Sequence, residues 1–334
     1  GVQVYRILLQ KKVMINYWNA FLEPTIFLLI RRKDFHIVHL HGFSLKSVFI
    51  IVLSKIFHKK VIIKMTSVGH DDPISIRRRG FLLKFFFSKV DSYIGVAPIF
   101  KKLYQGSELP SNRYINISNG VDTNRFRPVK SEERTLIRYE LGLPEKMKLI
   151  MFVGHFSKEK CPDLLLSAWK KYIAEIFPNT GIIYIGSTNS DHYEVDTELV
   201  RDIQGMTKPY INKRIFFIEK THEIEKYYQI ADIFVMSSKR EGLPNVLLEA
   251  MACCKPVVAS KLEGVTDWLI EDGENGLLFQ PGDRVDFGKA LLKILKNKDF
   301  SRSLGYKARE TILKRFSMEK VSEYFFKLYT NLIY

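Results

Sequence analysis

The sequence predicts an α/β fold made of two doubly wound domains, and three observations carry that prediction. The chain has 334 residues, too many for one ordinary core and suited to two of about 150 each. Short apolar runs alternate with longer helical stretches, the pattern of parallel strands joined by helical crossovers. The alternation then restarts after a polar, charged run at 128–134, which reads as the beginning of an interdomain linker. An apolar content of 46% is enough for both cores.

Taken in order, Ile37–Leu40 reads as the first strand, 44–57 as a helix, Val61–Met65 as a strand, 79–90 as a helix and Ser92–Val96 as a strand. A short helix around 132–140 follows the linker. The second half continues with strand Leu149–Val153, helix 161–175, strand Ile182–Ile185, helix 195–206, strand Ile215–Ile218, helix 223–229 and strand Ile233–Met236. A last helix falls within Met318–Tyr334, and no 20–50-residue repeat or low-complexity segment interrupts the pattern.

Charge is spread unevenly. Residues 1–130 hold 22 Lys and Arg against 7 Asp and Glu, a net of +15 out of +16 for the whole chain. Ordinary solvated surface would spread that excess, so a functional basic face with an anionic partner is the better reading. Around Arg77-Arg78-Arg79 the cations mix with Phe81, Leu82, Phe85 and Phe86, some of which must be core at helical spacing. The arginines, with Lys46, Lys55, Lys59, Lys60, Lys101 and Lys102, suit an anionic membrane surface. No apolar run reaches the roughly 20 residues needed to span a bilayer, because lysines flank or interrupt Ser47–Ser54 and Phe81–Val90. The basic half contains no nucleic-acid-binding motif, and no G-x-G-x-x-G follows a strand, which argues against nucleic-acid and nicotinamide partners. Three cysteines cannot build a disulfide framework and point to a reducing cytoplasm.

The most informative segment runs from Lys239 to Ala252 and contains Glu241-Gly242-Leu243-Pro244-Asn245, with Glu249 eight residues after Glu241. Gly242 permits an unusual backbone and Pro244 suits a first helical turn. The free amides of such a helix start would face an anion and could hold a diphosphate without a metal. Glu249, one turn beyond Asn245, could accept both hydroxyls of a ribose, and Glu241 those of a transferred sugar. Lys160, six residues after Gly154 in a strand-to-helix loop, could neutralise the phosphates. Gly186 ends a strand where a ligand could approach, though a plain turn explains it equally. His36, His39, His41 and His70 all lie near strand ends.

This segment, followed by Lys255–Ser260 and Asp272–Phe279, resembles the retaining glycosyltransferases of family 4. Asp34–Gly42, Ile117–Pro128 and Phe152-Val153-Gly154-His155 through Lys160 are similar to that family's other landmarks, in the same order. The resemblance implies the GT-B fold: two Rossmann-like domains facing a cleft, with 1–130 binding the acceptor and 131–315 the donor. A C-terminal helix at 316–334 would cross back to the first domain. It also implies a strand and a Gly-rich loop just upstream of Gly1, hence a shortened first domain. Asn119-Gly120 would be structural in such a protein.

Implied activity is retaining, metal-independent transfer of a sugar from a UDP- or GDP-sugar to a hydroxyl of a glycolipid or polysaccharide, at the inner membrane face. No cofactor and no metal site are expected, and no nucleophile is assigned. Gly154, His155, Lys160, Gly186, Glu241, Gly242, Leu243, Pro244, Asn245 and Glu249 would bind the donor, with Glu241, Lys160 and His70 catalytic. Two positions depart from the family pattern. His155 stands where Arg is usual, and His70 comes several residues late, with Asp71 or Asp72 assisting and Ser67 the alternative. These departures also suit a protein that binds sugar nucleotides without turnover.

Overall fold

A strand buried on both faces needs a continuous apolar run rather than an alternating one. Lys60–Met65 and Thr180–Ile185 are largely such runs, and each lies inside a parallel sheet with a strand on either side. The structure, a computed structural model, describes residues 22, 24–188 and 194–334. These residues form two compact units, one comprising the chain up to Ser118 together with Glu323–Tyr334, the other Asn119–Ser322.

In the first unit a helix α1 (24–30) precedes β1 (Ile37–His41), α2 (Leu45–Ile56) and β2 (Lys60–Met65). Then follow α3 (Pro73–Arg78), α4 (Phe81–Phe87), β3 (Ser92–Gly95), α5 (Pro98–Gln105) and β4 (Tyr114–Asn116). The sheet order is β1-β2-β3-β4, all parallel, with His41 beside Lys64 and Met65 beside Gly95. The helix expected over 79–90 is present as α4 at Phe81–Phe87, preceded by a helix that was not expected, α3 at Pro73–Arg78. Asp72 caps α3 through the Ser75 amide, and Gly80, at φ +119, ends that helix and starts α4 in a backbone state that L side chains rarely adopt. The break also changes which aromatics are core. Phe87 is buried and Phe86 half-buried, whereas Phe81, Leu82 and Phe85 face solvent.

The second unit continues with α6 (Ser131–Glu140), β5 (Lys148–Val153), α7 (Pro162–Ala168), β6 (Thr180–Ile185), α8 (Thr197–Thr207), β7 (Ile215–Ile218) and α9 (Ile224–Ile230). After these come β8 (Ile233–Met236), α10 (Asn245–Ala252), β9 (Val257–Ser260), α11 (Thr266–Leu269), β10 (Leu277–Phe279), α12 (Arg284–Lys296), α13 (Lys298–Arg315) and α14 (Met318–Ile333). The helix expected over 161–175 turns from α to π geometry at Trp169–Ile173. That wider turn seats the fully buried Trp169, whose Nε1 donates to Thr180 Oγ1 at 3.1 Å. Residues 119–130 lie with this second unit, where Val121 bridges to Ser317, and α14 joins the first unit from Glu323 onward.

Six parallel strands here run in the order β10-β9-β8-β5-β6-β7. The chain moves from β5 outward through β6 and β7, then returns to β5's other edge for β8. Connections therefore diverge between β5 and β8, and at the carboxyl ends of such strands the loops part to leave a crevice.

Candidate active site

The crevice is present as a cavity of about 780 Å³ at that place in the second unit. Its walls come from the loops after four strands: Val153, Gly154, His155 and Lys160 after β5, Ile185–Ser187 after β6, Glu219–Thr221 and Ile224 after β7, and Glu241 with Leu243–Val246 after β8. That volume lies within the range of sites that enclose a small ligand.

Gly154 and Gly186 form its floor. Gly186 has φ +146, and a Cβ there would sit 2.1 Å from the carbonyl oxygen of Gly154. The two strand ends touch backbone to backbone, which only glycine at 186 allows. Neither the ligand's approach nor the plain turn that the sequence left open is needed to explain this glycine, because the close packing of the two strand ends is sufficient.

Lys160 and Glu241 are brought together, Nζ 2.7 Å from Oε1, with the side chains 26% and 12% exposed. Ser237 holds the Lys160 loop by donating its hydroxyl to the carbonyls of Lys160 and Cys161. Across the cavity α10 begins at Asn245 with Pro244 as its N-cap, one position earlier in the cap than a first-turn proline. Gly242 is not among the residues of positive φ, so the unusual backbone expected there is absent. Among the described residues no acceptor takes the amides of Gly242, Leu243, Asn245 or Val246. A cluster of open donors at a helix N-terminus, next to a lysine, favours an oxyanion.

His155 lies at the rim, its Nε2 3.7 Å from Glu194 Oε2, a contact that carries charge only when the ring is protonated. Glu249 does not line this cavity. It lies in an adjoining one of about 300 Å³ that shares Asn245 and includes Asp122 and Arg125. The Tyr228 hydroxyl donates to Glu249 Oε2 at 2.8 Å, and burial raises the Glu249 carboxyl above its usual range.

In the first unit His70 is exposed in the turn between β2 and α3. Asp71 and Asp72 are committed elsewhere. Asp71 accepts from the Thr66 and Ser67 amides and the Thr66 hydroxyl, and Asp72 accepts from the Gly69 and Ser75 amides and the Ser75 hydroxyl. Both carboxylates are buried turn and cap groups.

The family model described as glycosyl transferases group 1 matches residues 133–311, more than half of the chain. The chain belongs to that family. This group 1 glycosyltransferase is 21% identical over 341 residues to the N-acetyl-α-D-glucosaminyl L-malate synthase of Bacillus anthracis, a match covering 99% of this chain and 86% of the relative. It is 31% identical over 232 residues to the sulfoquinovosyl transferase SQD2 of Arabidopsis thaliana, covering 69% of this chain but only 42% of that one. Among solved structures it is similar to Anabaena Alr3699/HepE in complex with UDP, with TM-score 0.78, 17% identity, and 92% and 82% of the two chains covered. Its two parallel-sheet domains are of the GT-B class.

Asn119, read from the sequence as structural, and Glu219, which the sequence did not single out, support the glycosyltransferase's cavity. Asn119 Nδ2 donates to the Leu243 carbonyl at 3.0 Å and to Asn245 Oδ1 at 2.8 Å, tying down the loop that carries the open amides. Glu219 accepts from the Ser187 hydroxyl and from the Thr188 amide and hydroxyl, fixing the rim formed by Glu219-Lys220-Thr221. A rim loop has no periodicity to betray it. Asn119 was visible as part of a turn dipeptide, but its partner lies 124 residues on.

Proposed function

We propose that this protein transfers a sugar, with retention of anomeric configuration and without a metal, from a nucleoside diphosphate donor to a hydroxyl of a glycolipid or polysaccharide. The observation that carries this reading is the meeting of Lys160 and Glu241 beside the open amides of 242–246. In such a donor the distal phosphate and the sugar are neighbours, so the cation for one and the carboxylate for the other must adjoin. They do, at 2.7 Å. The solved neighbour, a complex with UDP, agrees with a nucleotide in this fold.

As the anomeric C–O bond breaks, its electron pair passes to the diphosphate oxygen. The open amides and the Lys160 ammonium stabilise that growing charge. The acceptor hydroxyl bonds to the anomeric carbon on the face the phosphate leaves, and its proton passes to the departing phosphate. Glu241 accepts hydroxyls of the sugar, His155 flanks the phosphates, and Glu249 offers Oε1 to the ribose from the adjoining cavity. His70 contributes from the acceptor domain.

Membrane contact belongs to the same proposal. Arg78 and Arg79 are exposed beside Phe81, Leu82 and Phe85 on α4, a pairing of cations with apolar side chains that suits an anionic cytoplasmic leaflet. No helix among the described residues is long and apolar enough to cross a membrane.

Calorimetric titration with UDP-, GDP- and ADP-sugars tests the core of the reading. One nucleotide should bind, and a Leu243→Pro variant, which removes an open amide, should weaken it. Failure of every nucleotide to bind would sink the proposal; binding without turnover on any glycolipid or glycan acceptor would leave a sugar-nucleotide-binding protein.

A further inference from the structure

Three basic side chains gather on one face of the first unit's sheet, at the carboxyl ends of β1 and β2. His39 and His41, two apart on β1, point to the same face and stack with ring centroids 4.8 Å apart. Lys64 lies beside His41 in the β-ladder. The C-terminal helix covers part of this face. Tyr329 shares a 2.7 Å hydrogen bond with His39 Nδ1, and the Phe325 ring lies 5.7 Å from the His39 ring and 5.3 Å from Lys64 Nζ.

Among the described residues no carboxylate pairs with any of the three, and the buried Nε2 of His39 has no hydrogen-bond partner. Lys64 is only 8% exposed. Holding a lysine there beside two imidazoles costs free energy that an aromatic ring offsets only in part. The charges these groups feel most are one another's. Burial, then His41 and Lys64, lower His39 to about 4, and burial lowers His41 and Lys64 below their ordinary values.

We propose that His39, His41 and Lys64 form an anion subsite that takes a phosphate group of the acceptor. A tetrahedral dianion accepts hydrogen bonds from several directions, so it suits donors converging from two strands. His41 is exposed and marks the entrance, while Lys64 is the buried end. Carboxyl ends of parallel strands are where α/β domains bind ligands, and this is the first unit's such edge. That the phosphate belongs to an acceptor rests on the transferase reading. That an anion binds here does not.

The test follows the histidine ring NMR signals of the whole chain while inorganic phosphate is added, with chloride at matched ionic strength as the control. A short-chain phosphatidic acid, below its micelle concentration, serves as the lipid arm. Phosphate should give saturable shifts with a dissociation constant on the order of millimolar. Lys64→Gln should weaken it roughly tenfold or more. His41→Asn, at an exposed position, does the same duty should the lysine variant fail to fold. Tighter binding of the short-chain lipid than of inorganic phosphate assigns a lipid-linked phosphate; equal binding assigns a soluble one. Shifts that only track ionic strength, or variants that bind phosphate as well as the parent, overturn the proposal. UDP titration of the same samples keeps the two questions apart: loss of UDP binding with phosphate binding intact removes the transferase reading and leaves the anion site standing.

Discussion

Exchanging Lys160 for Met should separate phosphate recognition from the architecture of the cavity. The lysine's only ion-pair partner among the described residues is Glu241, and that carboxylate is 12% exposed. Removing the cation leaves a nearly buried acid uncompensated, a change that falls between breaking a surface pair and breaking a buried one. The expected loss is about 1–3 kcal/mol of folding stability. A lost charge-assisted hydrogen bond to the diphosphate contributes separately, weakening nucleoside diphosphate binding roughly tenfold to a hundredfold. Glu241→Gln acts oppositely on the nucleotide. It frees Lys160 from a competing carboxylate, so diphosphate affinity should hold or rise by up to about tenfold, while the extra affinity of a sugar-bearing donor over the bare diphosphate disappears. The double variant should regain stability but not affinity. Denaturant melts and calorimetry on the four proteins close the cycle. Two results would refute the reasoning: parent-like diphosphate binding by Lys160→Met, or an equal loss in both single variants, which would make the pair a structural unit with no phosphate role.

Further expectations follow from the same geometry. Gly186→Ala should cost about 2–4 kcal/mol, because its Cβ would lie 2.1 Å from the Gly154 carbonyl oxygen in an unfavourable backbone state, and a denaturation midpoint near the parent's would contradict this. Asn119→Ala removes the tie to Leu243 and Asn245, so donor KM should rise several-fold for about 1 kcal/mol, with far-UV dichroism unchanged. His39 has its folded pKa at about 4, below the ordinary 6.5, because of burial first and its cationic neighbours next. An unfolded chain therefore binds a proton that the native one refuses, and stability should fall as pH drops from 6.5 toward 4, by at most about 3 kcal/mol. His39→Gln should flatten that slope in denaturant melts; an unaltered slope would show that other groups set it. Phe81→Ser with Leu82→Ser should lower co-sedimentation with anionic vesicles while leaving UDP binding unchanged, and undiminished sedimentation would move the docking face elsewhere on the protein.

The alternation of strands and helices was legible because buried parallel strands demand continuous apolar runs, and Leu149–Val153 and Ile182–Ile185 announce themselves by composition alone. The helix over 79–90 was legible, but α3 before it was not, because six residues offer too few periodic positions to read; Gly80, at φ +119, separates the two. In the site, Lys160 and Glu241 could be named from type and loop position, but not their contact, since 81 residues separate them. Asp71 and Asp72 illustrate the reverse. Two adjacent acids near a histidine suggest chemistry, and only the hydrogen-bond partners reveal them as turn and cap groups. Glu249 was placed correctly on its helix, yet its tyrosine partner sits on α9, whose inward face no pattern at that length could specify.

The interlocked floor of the cavity bears on how this protein could change its donor over evolutionary time. Where Gly154 and Gly186 meet backbone to backbone, a new side chain at 186 has nowhere to go, so that part of the pocket is closed to innovation by substitution. The rim at Glu219-Lys220-Thr221 is under no such restriction, being a loop held by side-chain hydrogen bonds from Ser187 and Thr188. A shift to a different nucleotide would therefore be written in the rim while the floor stayed as it is, and a library confined to 219–224 is the economical place to look for one.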